Sequence, residues 1–137
     1  LLCQPAGGAD KPASEETLRH REHFLKMNGR EIFKNAVRVM EYAGRTLLDR
    51  HGLTPEDIDH VIPHQANARI VESLSQRLSM PIEKFYCNLE KYGNTSAASI
   101  PLAMDEARQA GLFKPDELGL LVAFGAGLTW ASALIRF

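Results

Sequence analysis

Two polar side chains suited to catalysis stand where apolar runs give way to helix-like patterns. His64 follows His60-Val61-Ile62-Pro63 and leads into Gln65-Ala66-Asn67, while Asn94 follows Tyr92-Gly93 and leads into Thr95-Ser96-Ala97-Ala98-Ser99. A third strand-like run, Leu118 to Phe124, closes in Gly125-Ala126-Gly127. In an open α/β sheet, ligands bind outside the carboxyl ends of the parallel strands, so groups at separate strand ends can converge on one substrate. An imidazole, a carboxamide and a flexible backbone loop all supply donors for charge that develops on a substrate oxygen.

Singly, each feature has a plainer reading. A lone histidine after a strand commonly caps a helix start. Gly-Asn favours left-handed backbone, and asparagine often bonds within its own loop. Gly125-Ala126-Gly127 runs into Thr129-Trp130-Ala131, a strand, and so lacks the helix N-terminus that a dinucleotide fingerprint needs; locally it reads as a tight hairpin. Metal chemistry fits poorly. His60 and His64 lie about 13 Å apart along an extended strand, and His20 with His23 lacks a third ligand.

The elements that must position these groups follow from periodicity. Phe33, Val37, Met40, Gly44 and Leu47, flanked by Ile32, Ala36, Val39, Ala43 and Leu48, keep the 3.6-residue period and predict a helix from about Gly29 to Arg50. Gly52 suits its C-terminus, and Thr54-Pro55-Glu56-Asp57 opens a short turn. Val61 and Ile62 begin a buried strand. Ile70, Leu74 and Leu78 predict a helix over 66–79, residues 84–90 a strand, and Ser96 to Ala110 a third helix with Pro101 in its first turn and Gly111 as its stop. The run 118–124 is apolar on both faces, as in a strand covered by helices on both sides, and Thr129 to Phe137 returns as a hairpin strand. The alternation predicts an α/β fold: a mixed, mostly parallel sheet with helices on both faces and an antiparallel edge strand.

The motifs Pro63-His64-Gln65-Ala66-Asn67 and Gly93-Asn94-Thr95-Ser96-Ala97-Ala98-Ser99, with the ending from Phe124 to Phe137, resemble the C-terminal part of the β-ketoacyl-acyl-carrier-protein synthase III family, within the thiolase-like superfamily. The resemblance runs from about Met27 to Phe137. It implies a decarboxylative Claisen condensation of acyl-CoA with malonyl-carrier protein that initiates fatty-acid synthesis, at a Cys-His-Asn site needing no cofactor. His64 and Asn94 would donate to the thioester oxygen as carbon dioxide leaves. The backbone N–H of Ala126 would join an oxyanion hole, with alanine where many relatives carry glycine. Gly29, Phe33 and Asn67 would fall along the pantetheine channel, and Lys34, Arg69 and Arg77 would face the acidic carrier protein. The family also implies a homodimer. A synthase of polyketide or other secondary metabolism would keep the same residues, and a non-catalytic carrier-binding module is the alternative of another class.

The family's nucleophilic cysteine belongs to an N-terminal half, and neither cysteine here stands in its motif. Cys87, within Phe85-Tyr86-Cys87-Asn88, reads as a strand residue and hence a buried small hydrophobe. Cys3 has no helix start behind it to depress its pKa. Residues 1–16, with two prolines and two adjacent glycines, read as a loop from the middle of a longer protein, and 17–137 as the C-terminal thiolase-like half, inactive by itself.

The 137 residues suffice for one core, at 45% hydrophobic and 24% charged. A net charge of −1, with no basic and aromatic interleaving, argues against nucleic acid as a partner. Two cysteines form no disulfide framework, which suits a reducing cytoplasm, and nothing resembles a signal peptide or a membrane span.

Overall fold

The structure, a computed structural model, describes residues 2–137, which part into two compact units, the chain passing from one to the other between Asn35 and Ala36. In the first unit, β1 (Leu2–Cys3) is followed by α1 (Glu15–Arg19), and β2 (Lys26–Met27) pairs antiparallel with β1. The stretch expected to be loop through residue 16 thus ends in a short helix. Its start is a reciprocal cap, because the Ser14 hydroxyl accepts the Thr17 N–H at 3.2 Å and the Thr17 hydroxyl accepts the Ser14 N–H at 2.9 Å. Glu15 and Glu16 then face the positive end of the helix dipole. The unit closes in the opening turns of α2 (Gly29–His51).

In the second unit, the remainder of α2 buries Ala36, Val37, Val39, Met40, Ala43 and Leu48, the stripe that the period predicted. Gly44 belongs to that stripe for a steric reason. A Cβ there would stand 3.2 Å from Leu78 Cδ2 and 3.6 Å from Leu120 Cδ2, so its absence lets the helix backbone approach the sheet. A 3-10 turn at Pro55–Asp57 leads to β3 (His60–Pro63), α3 (Ala68–Leu78), α4 (Leu89–Tyr92), α5 (Ser99–Gln109), β4 (Leu118–Gly125) and β5 (Thr129–Arg136).

The sheet order is β3-β4-β5. β3 runs parallel to β4, from His60 opposite Gly119 to Pro63 opposite Val122, and β4 pairs antiparallel with β5, from Leu118 opposite Arg136 to Gly125 opposite Thr129. One parallel and one antiparallel pairing make the mixed sheet. Successive side chains alternate between faces. Leu120, wholly buried, lies on the α2 side near Gly44, while Ile135 shares a groove with Phe137 and with Pro101, Met104 and Arg108 of the α5 side. Helices therefore cover both faces. Burying each such aliphatic side chain contributes roughly 1.5–3 kcal/mol.

One predicted element does not form. Instead of a strand over 84–90 there is a 3-10 turn at Ile82–Lys84, a single bridge between Phe85 and Val61, and a loop that enters α4 at Leu89, so Asn94 follows a helix and not the strand end expected for it. Phe85 turns inward and Tyr86 N–H bonds Val61 O at 3.0 Å, but the backbone then leaves the sheet, because Gln65 rather than a strand takes up the Asn88 N–H. Cys87 is consequently exposed, not the buried hydrophobe expected of it, and Cys3 is exposed as well. Among the described residues, no helix is long and apolar enough to cross a membrane.

Candidate active site

His64 extends the parallel ladder one step past β3, its N–H donating to Val122 O at 2.8 Å. That bond fixes the backbone where the strand ends, beside the carboxyl end of β4. Gln65 anchors the next position. It is 1% exposed, its Oε1 accepts the Asn88 N–H at 2.8 Å, and its Nε2 donates to Tyr86 O at 3.3 Å. The chain therefore cannot rotate His64 away without orphaning buried polar groups.

The His64 ring is half-buried. Phe124 meets it edge to face, with centroids 5.5 Å apart and planes at 65°, and its Nδ1 lies 2.7 Å from Ser99 Oγ. Burial pushes its pKa below the ordinary histidine value, with a hydrogen bond to the Ser96 backbone acting in the opposite direction. The ring is accordingly neutral at neutral pH.

Asn94 is joined to the same cluster through Ser96. The Asn94 Oδ1 accepts the Ser96 N–H at 3.0 Å, and the Ser96 carbonyl accepts both the N–H of Ser99 and its hydroxyl, the latter at 2.9 Å. Ser96 has a φ of 54°, left-handed backbone that residues other than glycine seldom adopt. This conformation turns its N–H to Asn94 and its carbonyl toward Ser99, the partner of His64. Asn94 is exposed, and with Oδ1 engaged, its Nδ2 hydrogens are the groups it presents outward.

Ala126 lies in the exposed turn joining β4 to β5, at the sheet edge where β3 also ends, and its carbonyl accepts the Thr129 hydroxyl at 3.4 Å. The local hairpin reading of this segment is correct. Asn67 has a structural task, because its Oδ1 caps α3 by accepting the Arg69 N–H at 2.9 Å. Arg69 is exposed in the first turn of that helix. At the other end, Arg77 pairs with Glu41 at 2.9 Å, while Arg45 holds both Glu41, at 3.3 Å, and the Arg77 carbonyl. Gly29, Phe33 and Lys34 belong to the first unit, on the opening turns of α2, where Lys34 pairs with Glu31 at 3.4 Å.

Of the site residues read from sequence, His64 and Asn94 are thus linked through one short hydrogen-bonded loop. The supports that sequence reasoning passed over are Ser96, Ser99 and Gln65. Ser99 stands inside the motif already singled out, three residues after Ser96, but periodicity gives no sign that its hydroxyl meets a ring 35 positions earlier. His60 turns to a separate purpose, bonding Glu117 at 2.8 Å beside the stacked rings of Phe113 and Phe137, and the charge-assisted bond holds the Glu117 carboxyl below its usual pKa.

The three-layered α/β arrangement, with His64 and the Ala126 turn at the carboxyl ends of β3 and β4, is of the thiolase-like kind. Residues 48–137 match the model of the 3-oxoacyl-[acyl-carrier-protein] synthase III C-terminal family, and the chain belongs to that family. It is 55% identical to the β-ketoacyl-[acyl-carrier-protein] synthase III of Caldanaerobacter subterraneus over 99% of its own length and 41% of the relative's. The crystal structure of 3-oxoacyl-(acyl carrier protein) synthase III from Pseudomonas aeruginosa superposes with a TM-score of 0.86 at 36% identity, covering all of this chain and 41% of the other. The priming β-ketosynthase of the R1128 polyketide pathway gives 0.80 at 33% identity, over 91% of this chain and 39% of the other. The chain therefore spans about two fifths of the length of these relatives.

Proposed function

We propose that this chain serves a full-length condensing enzyme that joins acyl-CoA to malonyl-carrier protein, giving a 3-oxoacyl-carrier protein and carbon dioxide. A cysteine thiol from outside these residues attacks the acyl-CoA thioester and displaces coenzyme A. The malonyl group then loses carbon dioxide, and the resulting carbanion attacks the acyl-cysteine and releases its thiolate. While the enolate exists, Asn94 and His64 donate to the thioester oxygen. The backbone N–H of Ala126 serves the oxyanions of the two acyl-transfer steps.

The observation that carries this reading is the shared support of the two side chains, since Ser96 bonds Asn94 through its backbone N–H and reaches His64 through its carbonyl and Ser99. Donors that are fixed before charge develops cost no reorganisation when it appears. Gly29, Phe33 and Asn67 belong on this reading to the pantetheine path, and Lys34, Arg69 and Arg77 to carrier docking, with Arg77 discounted by its bond to Glu41. The enzyme works as a cytoplasmic homodimer without a cofactor, and residues 17–137 act as its C-terminal half.

The test is His64→Ala and Asn94→Ala in the full-length protein. Each should slow malonyl decarboxylation and condensation by about 100-fold or more while acylation by acyl-CoA persists; condensation within twofold of wild type in both overturns the mechanism. The 137 residues alone should take no label from radioactive acetyl-CoA, and stoichiometric label on Cys3 or Cys87 would reassign the nucleophile. Priming of a polyketide is the second reading, favoured by the likeness to the R1128 ketosynthase, and acyl-CoA preference separates the two. Carrier binding without turnover in the full-length protein would mark a binding module instead.

A further inference from the structure

We infer that Ser99 is a positioning residue that, with the Ser96 carbonyl, holds the ring proton of neutral His64 on Nδ1 and so leaves Nε2 with its lone pair facing out. The inference rests on the reading of His64 as a catalytic group, and it specifies which nitrogen does what. Ser99 is 3% exposed, so its hydroxyl has no water to turn to. Within reach it has His64 Nδ1 at 2.7 Å and Ser96 O at 2.9 Å.

A hydroxyl has one proton to give and two lone pairs to receive with. Donating to the Ser96 carbonyl, Ser99 Oγ is left as an acceptor for Nδ1–H, and both short contacts become hydrogen bonds. The reverse arrangement, with the hydroxyl donating to Nδ1, makes one bond where two are possible. In a buried cluster the fully bonded pattern prevails, because each bond in the chain polarises the next. The logic resembles the orienting carboxylate of a Ser-His-Asp triad, which fixes the tautomer by accepting Nδ1–H. Here the orienting group is neutral, so a proton gained at Nε2 is not held by a nearby carboxylate.

The consequence for the chemistry is specific. Neutral His64 receives a hydrogen bond at Nε2, and it donates one to the thioester oxygen only once Nε2 has been protonated. Asn94 Nδ2 donates in either state.

Ring ¹⁵N chemical shifts, measured on ¹⁵N-histidine-labelled full-length protein at pH 8, test this without any reference to turnover. His64 should show a protonated Nδ1 and an unprotonated Nε2. Ser99→Ala should redistribute the ring proton between Nδ1 and Nε2, a change that a merely structural hydroxyl would not cause. Ser99→Thr, which keeps the hydroxyl, should retain the wild-type shifts. A neutral wild-type ring protonated on Nε2 overturns the inference, and so does a tautomer unmoved by Ser99→Ala. Either result leaves the condensing reading standing, because that reading fails only if His64→Ala and Asn94→Ala leave condensation intact.

Discussion

The 3.0 Å bond from the Ser96 N–H to Asn94 Oδ1 decides which end of the carboxamide faces out, and so makes Asn94 a donor instead of an acceptor. Asn94→Asp separates these two functions. Aspartate keeps an oxygen for Ser96 but replaces the outward amide with negative charge. Folding should be preserved, as read by circular dichroism and thermal melting, while malonyl decarboxylation by the full-length protein falls about 100-fold or more. Activity near wild type would show that the outward hydrogens are not used.

Arg69, exposed at the start of α3, tests docking separately from chemistry. Arg69→Glu should raise the KM for malonyl-carrier protein strongly and affect acylation by acyl-CoA far less. High salt should narrow the gap by screening the charges. Equal loss in both half-reactions, or indifference to salt, would make Arg69 a structural residue.

Gln65 is the buried polar link between the end of β3 and the loop at 86–88. Gln65→Leu fills the space but leaves the Asn88 N–H without its acceptor and the Tyr86 carbonyl without its donor. The expected destabilisation is roughly 1–3 kcal/mol, seen as a lower midpoint in urea at unchanged slope. An unchanged midpoint would mean that water reaches these groups.

At Gly119, steric space is the issue. A Cβ there would come within 2.8 Å of Phe137 Cε2 and 2.9 Å of Ile135 Cγ2. Gly119→Ala should therefore destabilise by about 1–3 kcal/mol through overpacking, and Phe137→Ala in the same chain should relieve part of that cost. Strictly additive effects in the double-mutant cycle would show that the two positions do not touch.

The pH dependence of stability follows from His64. Its folded pKa lies below the ordinary value because of burial, so between about 6.5 and the folded value the unfolded chain binds the proton and the native chain does not. Stability should thus fall as pH drops below about 6.5, before the carboxylates of Glu117 and Glu106, whose pKa values are lowered by His60 and Lys91 respectively, begin to protonate. Urea titrations from pH 7.5 to 5 should show a shallower decline in His64→Leu than in wild type. Parallel curves would place the titration elsewhere.

The long helix was legible along the chain, because its apolar stripe has only one way to be buried, and so were the strands expected from Val61, over 118–124 and over 129–137, which form at His60–Pro63, Leu118–Gly125 and Thr129–Arg136. The sequence by itself also determined the residue types at the strand ends, because a stripe or a both-faces-apolar run is a property of neighbours along the chain. The tertiary structure alone decided that residues 84–90 leave the sheet. That depends on Gln65, 23 positions before Asn88, supplying the hydrogen bond a neighbouring strand would otherwise provide. It also decided that Cys87 faces solvent. Above all, it decided the contact between His64 and Ser99, since a hydroxyl can fix a ring proton only within hydrogen-bond distance, and the parallel pairing of β3 with β4 and the packing of α5 on β3 are what bring two residues 35 apart to 2.7 Å.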